Sequence, residues 1–162
     1  MRRKDREVAE ISEIKEIIKN GQVVVLGLVD GETPYLVPLN YAFVDERGQA
    51  SLYFHSALAG HKIDLIKENN KCSFVIYNDL GVKATEQGRS ATNYYECIMG
   101  DGTITELTDL TDKRAGAKRL LEKYGFPNLG VDDEALNKTF IAKIVINKMS
   151  GKKNKEKDDD RY

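Results

Sequence analysis

The residues with the clearest capacity for chemistry lie together in LYFHSALAGHK, residues 52–62. An apolar run ends there, Ala57, Ala59 and Gly60 turn the chain, and a helix-forming stretch begins. Such a strand-to-helix turn presents free backbone N–H groups and the positive end of the helix dipole, which together favour a phosphate. Ser56 adds a hydroxyl donor, and Lys62 adds a compact positive charge of the kind that meets phosphates. His55 can donate a ring N–H to the same anion or to a ring system beside it. Its imidazole is also the side chain best suited to proton transfer near neutral pH. The plainer reading is that Ser56 caps the helix and Lys62 is a solvated surface residue. So short a motif recurs by chance, and the residues alone leave both readings open.

Other chemistries find little support. Two histidines and two cysteines without close spacing make no zinc motif, and no metal site is expected. There is no G-x-S-x-G, no P-loop and no G-x-G-x-x-G. Asp158, Asp159 and Asp160 read as a solvated tail. Arg2, Arg3, Lys4 and Arg6 read as a solvated arm, with reach to an anion across a dimer interface as the alternative. Twenty-five Lys and Arg against 26 Asp and Glu leave a formal charge of −1, which excludes a generic, strongly basic nucleic-acid binder. No apolar run approaches the roughly 18 residues that suggest a membrane span. The opening MRRKDREVAE lacks the apolar stretch of a signal peptide, and Cys72 and Cys97 make no disulfide framework. A cytoplasmic setting is the expectation.

The elements that must position the 52–62 turn can be read from periodicity. In 162 residues one core is expected. Strands are predicted at 23–29, 35–44, 51–54, 72–77 and 140–146. A sixth at 94–104 carries Gly100 and Gly102, which predict a bulge or sharp bend. The connections Asp30-Gly31-Glu32-Thr33-Pro34 and Asp45-Glu46-Arg47-Gly48 have hairpin chemistry, so pairing should be antiparallel. Ile14, Ile17 and Ile18 share a helix face between Ser12 as cap and Gly21 as stop. A second helix covers about residues 60–67. A third presents Ala117, Leu120, Leu121 and Tyr124 before Gly125. Val23, Val25, Leu36, Phe54, Phe74, Ile76, Phe140 and Ile144 are the expected core. The pattern predicts a closed or nearly closed antiparallel barrel with peripheral helices, with an open α+β sheet as the alternative.

Five blocks carry a family resemblance: MRRKDRE at the start, GLVDGETPYLVPLNYAF (27–43), LYFHSALAGHKIDLIKEN (52–69) and, more weakly, YYECIMGDGTI (94–104) and IVINKMSGKK (144–153). The sequence resembles the pyridoxamine 5′-phosphate oxidase-like FMN-binding proteins, in the branch that includes nitroimidazole-resistance proteins. The resemblance implies a mainly β fold, a six-stranded antiparallel split β-barrel, in a single domain over 1–150. The charged segment 151–162 reads as a frayed tail. It implies a homodimer with flavin in a groove between subunits, FMN as cofactor and FAD as the alternative. His55, Ser56, Ala57 and Lys62 would hold the phosphate, while Leu39, Asn40 and Tyr41 would border the flavin ring. Pro38 gives that border a physical sense, because its missing N–H marks a strand edge or bulge where backbone groups are free.

The implied function is flavin-dependent oxidoreduction of a small molecule, with nitroaromatics such as 5-nitroimidazoles as the named substrates and His55 as the catalytic residue. A flavin- or haem-binding carrier, store or sensor without turnover is the alternative. Two departures matter. Tyr95-Glu96-Cys97 places a carboxylate where many relatives have an Arg. The Arg-rich substrate-phosphate signature of true pyridoxamine phosphate oxidases is also missing, which weighs against vitamin B6 oxidation.

Overall fold

The computed structural model describes residues 3–84 and 90–155. Arg2, residues 85–89 and the tail from 156 onward, with its run Asp158, Asp159 and Asp160, lie outside the described residues. After a 3-10 turn at Lys4–Arg6 come β1 (Glu7–Val8), α1 (Ile11–Asn20), β2 (Val23–Asp30), β3 (Thr33–Asn40), β4 (Ala42–Glu46) and β5 (Gln49–Ala57). Then follow α2 (His61–Glu68), β6 (Lys71–Ala84), β7 (Ala91–Glu106), α3 (Leu110–Lys123), α4 (Asp133–Asn137) and β8 (Thr139–Asn154). Among the described residues no helix is long and apolar enough to cross a membrane.

All eight strands form one antiparallel sheet in the order β3-β2-β6-β7-β8-β5-β4, with β1 attached to β8. The mainly β antiparallel architecture agrees with the sequence, but there are eight strands rather than six. The predicted strand 35–44 is broken at Tyr41, and its halves become the two opposite ends of the sheet. The barrel is thus left open, and Asn40-Tyr41 carries the chain from one edge to the other. Pro34 and Pro38 lie on β3, whose only ladder is with β2, so their missing donors cost the sheet nothing. The irregularity expected at Gly100 and Gly102 lies across the ladder: between Asp101 and Gly102 the β7–β8 register slips, and the extra residue is Asn147 of β8, not a residue of β7.

Both predicted hairpins form. Arg47 and Gly48 take positive φ (54° and 82°) between paired Glu46 and Gln49, the backbone of a two-residue hairpin turn. The main core inside the sheet gathers Ile14, Ile17, Ile18, Leu26, Leu52, Phe54, Phe74, Ile76, Phe140 and Ile144. Val23, Val25 and Leu36, expected in that core, lie instead on the outer face. Val23 is 42% exposed, Leu36 is 66% exposed and Val25 is half-buried. The cause is a strand apolar on both sides: in VVVLGLV the inward set is Val24, Leu26 and Leu28, all buried.

Three boundaries also shift. Glu10, not Ser12, occupies the cap position of α1, without a side-chain bond, because the helix already begins at Ile11 as the chain leaves β1. Gly21 does end α1, but its need is for space: a Cβ there would sit 2.5 Å from the Tyr41 hydroxyl and 2.6 Å from Ile76. Gly151, Lys152, Lys153 and Asn154, read as the start of the tail, are the last residues of β8, paired to β7. The short helix α4, capped by Asp132 through the Ala135 N–H (2.7 Å), was not foreseen.

Candidate functional site

The β5–α2 junction has the form its sequence suggested. Ala57 closes the ladder with β8 opposite Thr139, and Gly60 takes φ 125°, a conformation that favours glycine. Ile63 and Asp64 donate their N–H groups to the Gly60 carbonyl (2.8 and 3.2 Å), and no side chain caps the helix. Ser56 is therefore not the cap. The N–H groups of His61 and Lys62 belong to the free first turn, where the macrodipole adds roughly half a positive charge. Partial burial pushes the Lys62 ammonium down from the ordinary lysine value. Among the described residues no carboxylate pairs with it, and the Ser56 hydroxyl and His55 imidazole carry no hydrogen bond. An unpaired, half-buried cation beside an uncapped helix start is a donor set that fits an anion.

A residue the sequence reading passed over fixes this helix start. His61 Nε2 lies 2.6 Å from Asp30 Oδ2, and its ring meets Tyr35 edge-on at 5.2 Å and 88°. Together these contacts tie the first residue of α2 to the β2–β3 turn. The signal available in the sequence was the single word HK after a turn glycine, which does not reveal a partner 31 residues away.

The three residues at the sheet break behave differently from one another. Tyr41 is fully buried, its hydroxyl donating to the Ile18 carbonyl at 2.5 Å, and burial pushes its phenol well up. Its ring fills the core, and its backbone N–H is engaged by Tyr124 at the seam. Leu39 is half-buried against the same core. Asn40 is exposed on the opposite side. The backbone at the break is satisfied by Tyr124: the Tyr41 N–H donates to the Tyr124 hydroxyl (3.2 Å), which in turn donates to the Gln22 carbonyl (2.7 Å).

Successive strand residues face opposite sides, and this divides the 55–57 group. Ser56 shares the inward side with Phe54, next to the start of α2. His55 faces outward and, with Asn40, lines a cavity of about 410 Å³ roofed by α3, α4 and the loop between them. The lining includes Ala117, Leu120, Leu121, Tyr124 and Phe126. The sequence showed the apolar face of α3 but not that all four of its residues, Ala117, Leu120, Leu121 and Tyr124, border a cavity. Tyr95, Glu96 and Cys97 lie elsewhere. Glu96 is buried with the Lys155 ammonium and the Asn78 amide (3.3 Å), and Tyr95 stacks on Tyr77 at 5.7 Å. Arg3 of the basic arm pairs with Asp5 at 2.5 Å, and the Arg6 guanidinium donates to the Tyr95 hydroxyl at 3.5 Å.

An antiparallel barrel left open at its β3–β4 link, with peripheral helices, defines a split-barrel fold. The sequence matches the family described as pyridoxamine 5′-phosphate oxidase over residues 10–153, and the chain belongs to that family. It resembles the crystal structure of a candidate 5-nitroimidazole antibiotic resistance protein from Bacteroides thetaiotaomicron, with 26% identity and a TM-score of 0.79, covering 90% of this chain and 85% of the other. An FAD- and haem-binding protein from Mycobacterium smegmatis shares the fold at 15% identity and TM-score 0.79, over 93% of this chain and 74% of the other. An FAD-binding protein from Mesorhizobium loti does so at 22% identity and TM-score 0.65, over 93% and 98%. No curated protein matches the sequence.

Proposed function

We propose that the chain is a homodimeric, FMN-dependent oxidoreductase acting on a small molecule. The carrying observation is the unpaired Lys62 beside the uncapped start of α2, with the free Ser56 hydroxyl next to it. Ser56, the Ala57 backbone and Lys62 take the phosphate. The Leu39–Tyr41 segment would border the isoalloxazine ring, with the Asn40 amide and the His55 imidazole as the side chains nearest to it. When bound, the flavin supplies electron transfer in pairs. The chain's own residues would do the rest: Lys62 and the first turn of α2 fix the phosphate, Asn40 at the seam orients the ring, and the roof of α3 and α4 limits water. His55 moves the proton, at an imidazole nitrogen that no described residue engages. Nitroaromatic reduction is the favoured activity, supported by the 26% identity to a candidate 5-nitroimidazole resistance protein.

The homodimer reading is supported by the outer face of β2, β3, β6 and β7. Val25, Leu36, Val75 and Met99 line a groove of about 510 Å³ there, and Val23, Val29 and Tyr77 extend the apolar surface. A single chain rarely leaves so continuous an apolar patch uncovered. A second copy of the same face would bury it isologously.

The test is direct. Purified protein should be yellow or take up added FMN one-for-one per chain, and mass spectrometry of the released cofactor should give FMN rather than FAD. With a reductant and a nitroaromatic it should turn over. Colourless protein that takes up no flavin would overturn the reading, and flavin binding without turnover would leave a carrier, store or sensor.

A further inference from the structure

We propose that the cavity beneath α3 and α4 is a substrate subsite separate from the flavin, selecting an uncharged, mostly apolar small molecule with a hydrogen-bonding edge. The word substrate rests on the flavin reading; the cavity and its selectivity rest on geometry alone. Its volume of about 410 Å³ falls within the roughly 300–1,000 Å³ of small-molecule sites. Ala117, Leu121, Phe126, Val131, Leu136 and Ile141 make most of the wall, and no Asp, Glu, Lys or Arg lines it. A phosphate or carboxylate entering would lose its water with no Lys or Arg to pair with, a cost that disfavours charged ligands.

The polar groups of the lining separate into spent and free. The Thr139 hydroxyl donates to the Ala135 carbonyl (2.7 Å), and the Tyr124 hydroxyl is occupied at the seam. The Asn40 amide and His55 imidazole, both on the sheet wall, have no protein partner among the described residues. They are the groups left to orient a ligand. The same His55 that would move a proton therefore meets the occupant's polar edge.

The roof is held in place independently of any ligand. Lys113, buried at the foot of α3, donates from Nζ to the carbonyls of Leu136 (3.1 Å) and Thr139 (3.0 Å). The neighbouring Arg114 binds the Val131 carbonyl and the Asp133 carboxylate. Helix α3 seats closely at Gly116, where a Cβ would lie 3.0–3.3 Å from Leu107, Ile141 and Tyr53. From Ala117 onward its inner face borders the cavity. Two struts thus hold a preformed apolar wall over two unengaged polar side chains, and Phe126, 58% exposed, stands in the lining as an aromatic group reachable from solvent.

The experiment uses N-phenyl-1-naphthylamine, an uncharged probe that fluoresces in apolar surroundings, titrated into the full chain with and without FMN. Binding of one probe per chain, undisturbed by saturating FMN, is expected. Ala117→Phe should fill the cavity and weaken the probe about tenfold or more, the equivalent of one methylene-rich contact surface lost. FMN affinity should hold. Val131→Phe, from the loop between α3 and α4, repeats the test should Ala117→Phe fold poorly. The sulfonated analogue 1-anilinonaphthalene-8-sulfonate should bind at least about tenfold more weakly. Probe binding that ignores both substitutions, an equally tight sulfonate, or displacement of the probe one-for-one by FMN would overturn the proposal. A chain that binds no FMN yet loses the probe on Ala117→Phe would refute the flavin reading and still support the uncharged apolar site.

Discussion

Lys62→Ala isolates the phosphate end of the flavin site. In the free chain the Lys62 ammonium sits half-buried at the second residue of α2, held below its ordinary pKa by burial, with no carboxylate among the described residues to offset the lost water. Removing it should cost the empty protein little, since an exposed or half-exposed substitution typically stays within about 0.5 kcal/mol. With FMN bound, the ammonium would make a charge-assisted contact to a multiply charged phosphate, reinforced by the free first-turn N–H groups. Such a bond contributes on the order of 1.5–3 kcal/mol, so FMN affinity should fall roughly ten- to a hundredfold, toward the lower figure because Lys62 remains partly solvated. Riboflavin lacks the phosphate and should bind almost unchanged. Flavin-fluorescence titration of both ligands, with thermal denaturation as the fold control, measures the difference. Unchanged FMN affinity would remove Lys62 from the site. Equal weakening of FMN and riboflavin would mean that the substitution disturbs the pocket as a whole.

Four other outcomes follow from the same geometry. Gly21→Ala places a methyl 2.5 Å from the Tyr41 hydroxyl and should destabilise by about 1–3 kcal/mol, lowering Tm by about 2–4 °C for each kcal/mol; an unchanged Tm would show that α1 shifts freely. Light scattering should give twice the 18.2 kDa of one chain, and Leu36→Glu, at a position 66% exposed in the single chain, should halve that mass without unfolding the protein. His55→Gln should lower nitroaromatic turnover by about a hundredfold or more while FMN binding persists, read from kcat against a flavin titration. The Asp109 carboxyl is held below the usual range by the N–H groups of Thr111 and Asp112 that it caps. A lowered folded pKa contributes stability above the unfolded value, near pH 4, that is lost as pH falls through the folded value. Asp109→Ala should therefore flatten the acid limb of the stability profile and leave the alkaline limb as it is.

Local signals in the sequence reached far because most of the fold is made of short-range pieces. Glycines in four- and five-residue polar links predict the hairpins, and Gly100 and Gly102 mark where the β7–β8 ladder slips its register. The spacing of Ile14, Ile17 and Ile18 predicts the buried face of α1, and these elements form as expected. What stayed hidden depends on partners distant in sequence. Nothing in LVPLNYAF distinguishes one ten-residue strand from two strands at opposite sheet ends. The break comes from Tyr41 turning into the core toward Ile18 and from Tyr124, 83 residues on, receiving its N–H. For the site the same division holds. The start of α2 was legible in SALAGHK, but not that Ser56 leaves it uncapped, and the split of His55 from Ser56 follows from strand alternation only once the ladder with β8 is known.

The misplaced core residues carry the last step of reasoning. Periodicity assigns an apolar residue to the interior only where the opposite face is polar, and β2 offers no such contrast: Val23, Val25 and Val29 alternate with Val24, Leu26 and Leu28. A strand apolar on both faces is expected where both faces are covered. Within one chain only the inner set is buried, so the outer set marks a second surface that the sequence encodes as firmly as the first. Leu36, paired opposite Gly27, stands on that surface, and so does Met99, opposite Val75. Covering it with a second copy would place each flavin groove beside the partner's sheet, since the β3 edge that ends at Asn40 borders both. The Leu36→Glu variant should then lose FMN affinity along with its partner, and a monomeric variant that binds FMN as tightly as the dimer would separate the two features.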